Sequence, residues 1–178
     1  MRSDNTANPQ GPSSLREDRL LSLHEEPVIA DWVDYNGHMN VAYYVLVFDH
    51  ATDALLDHLD IGERYRNDTG GSVFVVETHV TYLQEVMLDD RLRVTTRIID
   101  SDEKRLHVFH TMYQDGADGA DDVVATGEFM ILHVDLATRR SSPFPAHAQD
   151  MMKTLSDKHR AADAPPQLGR SIGIPAKS

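Results

Sequence analysis

Trp32-Val33-Asp34-Tyr35-Asn36-Gly37-His38-Met39-Asn40 runs directly into Val41-Ala42-Tyr43-Tyr44-Val45-Leu46-Val47-Phe48, and this junction decides how the chain is read. Its first nine residues gather a carboxylate, an imidazole, two amides and a glycine, while residues 41–59 contain neither Gly nor Pro. There Tyr44, Val47, Phe48, Ala51, Leu55 and Leu59 recur at spacings of three and four, with Asp49, Asp53 and Asp57 toward the other side. That is the period of a helix burying one face. The polar block is therefore predicted to be a loop that turns into a helix N-terminus. Asn40 suits the N-cap, where its side-chain oxygen can accept from a first-turn amide, and Gly37 permits a backbone conformation closed to other residues. The free amides of a helix start carry roughly half a positive charge, so a ligand oxygen that turns negative is stabilised there. A plainer reading competes, in which Asp34 and Asn40 only cap turns and His38 is a solvated loop residue. The flanking aromatics Trp32, Tyr35, Tyr43 and Tyr44 favour a pocket lining.

Working outward, residues 20–30 read as a first strand. Residues 1–19 lack periodicity and carry Pro9, Gly11, Pro12, Ser13 and Ser14, which predicts a disordered leader. Gly62 ends the helix, and residues 63–71 read as a loop. From Ser72 onward the period becomes two, predicting strands at 73–82, 91–99, 105–114 and 123–135. In the first of these, Phe74, Val76, Thr78, Val80 and Tyr82 should share one face, leaving Val73, Val75, Glu77, His79 and Thr81 on the other. The second sets Arg91, Arg93, Thr95 and Arg97 against Leu92, Val94, Thr96 and Ile98, as a half-buried antiparallel strand should. Residues 101–104 read as a tight turn and the Asp/Gly-rich 115–122 as a solvated hairpin loop. A short helix over 146–160 and a flexible tail over 161–178 follow. The order of strand, long helix and four strands predicts one α+β domain over 20–160, an antiparallel sheet wrapped around one helix with helices on one face.

A chain of 178 residues can bury a core without staples, and it has no cysteine to supply a disulfide framework or thiol chemistry. No apolar run approaches the ~18 residues of a membrane span, which makes the cytoplasm the default location. A formal net charge of −12 argues against non-specific binding to nucleic acid or anionic membrane. Ten histidines invite a metal reading. However, His107 and His110 are three apart in a strand and so on opposite faces, and His50 and His58 are eight apart with no intervening ligand motif, so no catalytic metal is expected. No serine sits in a nucleophile-elbow context. Glu77 and His79, on one strand face, are either pocket residues or an exposed cross-strand pair.

The pattern Asp34-x-x-Gly37-His38-x-Asn40, followed by a long helix and four strands, resembles the hotdog-fold acyl-CoA thioesterases of the 4-hydroxybenzoyl-CoA thioesterase type. Four further motifs narrow the match: Ala51-Thr52-Asp53-Ala54-Leu55-Leu56, Val76-Glu77-Thr78-His79, Asp102-Glu103-Lys104-Arg105-Leu106-His107 and Leu132-His133-Val134-Asp135. Together with the first, over roughly residues 28–145, they are similar to the betainyl-CoA thioesterases of carnitine breakdown. The resemblance implies a hotdog fold, hydrolysis of an acyl-CoA thioester without metal or organic cofactor, and active sites built between subunits of a homodimer or dimer of dimers. It casts Asp34 as base or nucleophile and amides near Asn40 and Val41 as oxyanion donors. His38 would orient the water or Asp34, Asn40 would bind the water or the thioester carbonyl, and Gly37 would shape the binding loop. A trimethylammonium head group would call on the aromatic faces of Trp32, Tyr35, Tyr43 and Tyr44 with Glu77 to balance its charge and His79 beside it. Lys104 and Arg105 are either a solvated turn or a local positive patch for the CoA phosphates, with Arg139 and Arg140 next in line. Two alternatives stay open: a hydratase or dehydratase that uses His38 with a partner carboxylate, and a non-catalytic acyl-CoA binder.

Overall fold

The computed structural model describes residues 20–115 and 121–174. The expected leader and the middle of the Asp/Gly-rich loop lie outside the described residues. Where apolar residues recur at helical spacing, α1 (Val41–His58) forms and buries Tyr44, Val47, Phe48, Ala51, Thr52, Leu55 and Leu56. Each large side chain so buried stabilises the fold by roughly 1.5–3 kcal/mol before entropy is counted. Strand β1 (Leu21–Pro27) precedes it, and the chain then leaves the sheet through a 3-10 turn, Ala30–Trp32. Strands β2 (Gly71–Tyr82), β3 (Arg91–Ser101), β4 (Arg105–Asp115) and β5 (Asp121–Asp135) complete an antiparallel sheet ordered β1-β3-β4-β5-β2. A two-residue strand β6 (Arg140–Ser141), which the sequence did not reveal, pairs with β5. The sheet wraps around α1, which touches β1, β3, β4 and β5. This is the hotdog arrangement expected.

Close approach of helix and sheet depends on Gly127. A Cβ there would lie 2.5 Å from the Phe129 ring and 3.0 Å from Phe48. Beside it, fully buried His110 is held by Thr52 of α1 and Thr96 of β3.

The structure corrects the sequence reading in three places. Residues expected as loop form a short helix α2 (Glu63–Thr69), closed by Gly70 in the left-handed region at φ 74°. Seven residues are too few for a helical period to show, and the turn is held in part by tertiary contact through Tyr65, whose hydroxyl meets His133 Nε2 at 3.1 Å. In β2 the register against β5 shifts between Val75 and Glu77. That bulge breaks the expected alternation, placing Phe74 and Tyr82 on opposite faces. In β3 the supposedly solvent-facing Thr95 and Arg97 are buried, at 2% and 9% exposure. The irregular segment after the last helix lies over them, with Ala162, Asp163, Pro165 and Gln167 facing Thr95, Arg97 and Phe109 across a cavity. Further along, the Gly169 amide donates to Glu128 Oε2 at 2.8 Å. The expected C-terminal helix forms as α3 (Ala146–His159) and takes over where β1 stops pairing with β3. His159 Nδ1 accepts from the Ile98 amide at 3.0 Å and the Ser156 hydroxyl donates to the Ile99 carbonyl at 3.3 Å.

Candidate active site

The loop ahead of α1 is built from its own hydrogen bonds. Val33 and Met39 form an antiparallel bridge, the Asp34 amide donates to the His38 carbonyl at 3.1 Å, and the Gly37 amide donates to the Asp34 carbonyl at 3.0 Å. Gly37 stands at φ 90°, which favours glycine whatever the space around it. The Asp34 carboxylate accepts from the Asn36 amide at 2.8 Å, a local Asx turn that orients the carboxylate while leaving its other oxygen for chemistry. Asn40 caps α1 as predicted, with Oδ1 accepting from the Ala42 amide at 3.0 Å. Two longer-range bonds fix the loop in place: the Met39 amide to the Val86 carbonyl at 2.8 Å and the Asn40 amide to the Trp32 carbonyl at 2.9 Å.

A cavity of about 280 Å³ opens beside this loop, lined by Asp34, His38, Met39, Val41, Tyr44, Tyr82, Leu83, Gln84 and Glu85. It joins the Asp34 carboxylate to the start of α1. Tyr44 and Tyr82 meet edge to face, ring centroids 5.2 Å apart, and their hydroxyls donate to the carbonyls of Gln84 at 3.2 Å and Val41 at 3.4 Å. Burial raises the pKa of both phenols above the ordinary tyrosine value, so both rings are neutral near pH 7. His38 Nε2 lies 3.8 Å from Glu85 Oε1. Among the described residues no lysine or arginine lines the cavity.

Of the residues singled out from sequence, Asp34, His38, Val41 and Tyr44 come together here, with Gly37 and Asn40 in the adjoining backbone. The others do not join them in this chain. Trp32 and Tyr43 stack on each other at 5.5 Å and pack into the core behind the loop, while Tyr35 at the loop tip is 96% exposed. Glu77 and His79 line a separate cavity of about 240 Å³ with His107, Glu128 and Arg170. Lys104 and Arg105 occupy the β3–β4 turn, at the far end of an 11-residue strand whose near end adjoins the loop, roughly 30 Å away. In that turn Arg105 Nε donates to Asp102 Oδ2 at 2.7 Å and Lys104 Nζ lies 3.7 Å from Glu103 Oε1. The hydrogen bond from Arg105, with the turn amides, holds the Asp102 carboxyl at about 2. Tyr82, Leu83, Gln84 and Glu85 are the lining residues that sequence reasoning passed over. The one available signal was position, since they end and directly follow β2, a strand whose neighbours in space the sequence does not give.

The family model of the thioesterase-like superfamily matches residues 28–153. The chain is 41% identical over 157 residues to a betainyl-CoA thioesterase of Pseudomonas aeruginosa, covering 88% of this chain and 97% of that protein. It is also 41% identical over 160 residues to an L-carnitine dehydrogenase/betainyl-CoA thioesterase of Rhizobium meliloti, covering 90% of this chain and 32% of that longer protein. Among solved structures, a Staphylococcus aureus protein in complex with CoA superimposes with a TM-score of 0.79 at 31% identity, covering 88% of this chain and 96% of that one. With its fold and most of its length matched, the chain belongs to the thioesterase-like superfamily.

Proposed function

We propose that this chain hydrolyses betainyl-CoA to betaine and CoA, with Asp34 as the base or nucleophile. The carrying observation is the composition of one cavity: the Asp34 carboxylate, the start of α1, two neutral tyrosine faces, a second carboxylate in Glu85, and, among the described residues, no lysine or arginine. Family membership and the 41% identical relatives support thioester hydrolysis as the reaction class. Water deprotonated by Asp34 adds to the thioester carbonyl. The oxygen that gains charge faces the first-turn amides near Val41, and collapse expels the CoA thiolate, which takes up the proton. In the nucleophilic variant Asp34 itself adds, and water then opens the mixed anhydride. An oxyanion donor contributes about 2.7–4 kcal/mol and general-base help about 10²–10⁴-fold. Asn40 spends its carbonyl oxygen on the cap, which leaves its amide NH₂ to bind the carbonyl or the water. Hydrolysis in ¹⁸O-water under single turnover separates the two routes, because only the anhydride route places label in the Asp34 carboxylate.

A trimethylammonium group donates no hydrogen bond, so its recognition falls to aromatic faces and nearby negative charge. Tyr44 and Tyr82, with Glu85, supply both. Each cation–π contact is worth about 0.5–2 kcal/mol. Two of them, about 1–4 kcal/mol together, predict a preference of about fivefold or more in kcat/KM for betainyl-CoA over its uncharged isostere 3,3-dimethylbutyryl-CoA, read by release of free thiol. Equal rates would remove the cationic substrate and leave the thioesterase standing; no thiol release from any acyl-CoA would remove both.

The same proposal includes a homodimer formed through β2. Among the described residues this strand ends the sheet, with one edge unpaired and Phe74, Val75, Val76 and Tyr82 exposed. Long apolar edges of this kind pair with another chain unless something covers them. A CoA thioester as substrate supports a cytoplasmic location.

A further inference from the structure

On the flank of α1, away from the cavity just described, three side chains from two elements converge. His24 and Glu26 project from β1, and His50 projects from α1, ten residues beyond Asn40 and so about 15 Å along the helix. His24 Nε2 and His50 Nδ1 each lie 2.8 Å from the same oxygen, Glu26 Oε1, and all three atoms are within 4.8 Å of one another. The two imidazole rings meet edge to face at 5.6 Å. A register shift between Ser22 and His24 sets up this arrangement: Leu21 lies opposite Thr96, and beyond the bulge His24 and Glu26 lie opposite Val94 and Leu92. Because residues paired across a sheet share a face, the bulge turns two polar residues toward the helix in a strand that begins with a core-facing leucine. Side-chain exposures of 20% for His24, 17% for Glu26 and 37% for His50 leave one open side.

We infer that His24, Glu26 and His50 form a binding site for a divalent transition-metal ion of the zinc type, clasping the edge strand β1 to the central helix. Two imidazoles and a carboxylate are a donor set that suits zinc and its neighbours over magnesium or calcium, which prefer oxygen ligands. Bonds of about 2.0–2.2 Å in tetrahedral geometry put neighbouring ligand atoms roughly 3.3 Å apart. The 2.8 Å contacts therefore open by about half an ångström on loading, within reach of side-chain torsions. Water occupies the fourth position on the side where His50 meets solvent. The surrounding sequence adds negative charge: α1 carries Asp49 beside His50 and Asp53 one turn beyond it. None of the three ligands lines the candidate active site, so the ion is structural and the inference stands apart from the thioesterase reading. Spacing along the chain could not show the site, because its ligands come from a strand and a helix.

The test uses the full chain, tag-free and stripped with a chelator. Calorimetric titration with Zn²⁺ should show one equivalent bound per chain with a micromolar or tighter dissociation constant. Co²⁺ in its place should give the strong visible absorption of a four-coordinate ion. Zn²⁺, and not Mg²⁺, should raise the melting temperature. His50→Gln and, independently, His24→Gln should each weaken Zn²⁺ binding at least tenfold and abolish the cobalt spectrum, with thioester hydrolysis unchanged. The wild-type titration decides the matter even if a variant fails to fold: no stoichiometric uptake overturns the site. Uptake that both folded variants retain at wild-type affinity overturns it equally, by placing the ion elsewhere.

Discussion

Lowering the pH from 7 to 5 should destabilise this protein by several kcal/mol, through two histidines that the fold holds neutral. The Nε2 of His110 meets Thr52 Oγ1 at 3.0 Å, and its Nδ1 meets Thr96 Oγ1 at 2.9 Å. Thr52 already donates its hydroxyl hydrogen to the Phe48 carbonyl at 2.8 Å, so it accepts from Nε2–H, and Nδ1 accepts from Thr96. A second ring proton would force the Thr96 hydroxyl from donor to acceptor and so break the bond it donates, and complete burial between Phe48 and Phe129 pushes the pKa down to about 3. His159 is pushed to about 4, by burial first and then by Lys158 and Arg97, while its Nδ1 accepts from the Ile98 amide. An unfolded histidine titrates near 6.5. Between the folded and unfolded values the unfolded chain binds protons that the native chain refuses, so stability falls as pH falls through this window. At pH 5 the loss is about 2 kcal/mol per site, or ~4 kcal/mol for the pair, against a typical total of 5–15 kcal/mol. Urea unfolding at pH 7, 6 and 5 measures it directly. In His110→Gln, whose amide can donate to Thr52 and accept from Thr96, about half of the pH dependence should disappear. A flat profile between pH 7 and 5, or a His110→Gln slope equal to wild type, would refute the reasoning.

Asp34→Asn should lower kcat by about a hundredfold or more with KM and the far-UV spectrum little changed, since an amide oxygen can still accept from the Asn36 amide but cannot act as base or nucleophile; near wild-type turnover would dismiss Asp34 from the chemistry. Val76→Lys, at the exposed bulge of β2, should shift the protein from dimer to monomer in analytical ultracentrifugation and reduce activity if the sites lie between subunits. Replacing Lys104 and Arg105 together with Gln should raise KM for the CoA thioester, change kcat little and weaken the salt dependence, because distant phosphates contribute mostly uniform binding. A KM unmoved across ionic strengths would leave that turn as the locally neutralised surface its pairing with Asp102 and Glu103 describes.

The parts of the fold that were legible in the sequence are those set by local period and local hydrogen bonding. The central helix announced itself through a 3.6-residue repeat from Tyr44 to Leu59, and its cap through Asn40. The loop was legible for the same reason, because the Asx turn at Asp34 and the positive φ of Gly37 are local conformations of those residue types. What covers an element is not local. The alternation in β3 suggested one wet face, yet Thr95 and Arg97 are buried beneath a segment more than 60 residues later that has no periodicity of its own. Likewise Trp32 and Tyr43, well placed by sequence to line a pocket, instead satisfy each other by stacking.

The composition of the candidate site turns on a single extra residue in β2. Ahead of the bulge, Val73 and Val75 lie opposite His133 and Ile131, on the side that faces α1; beyond it, Thr78, Val80 and Tyr82 lie opposite Phe129, Gly127 and Ala125 on that same side. Without the shift, strict alternation would keep Tyr82 with Phe74 on the outer face and would turn Glu77 and His79 inward. The bulge therefore delivers Tyr82 to Tyr44 as the aromatic pair beside Asp34, and it removes Glu77 from contention as the counter-charge. Glu85, carried on the connection just beyond the strand, lines the cavity instead and is the counter-charge in the proposed reading. A period-two reading cannot detect such an insertion, because each half of β2 alternates correctly by itself. The cavity beside Asp34 thus pairs aromatic rings with a carboxylate, but through Tyr82 and Glu85 rather than through Trp32, Tyr35, Tyr43 and Glu77.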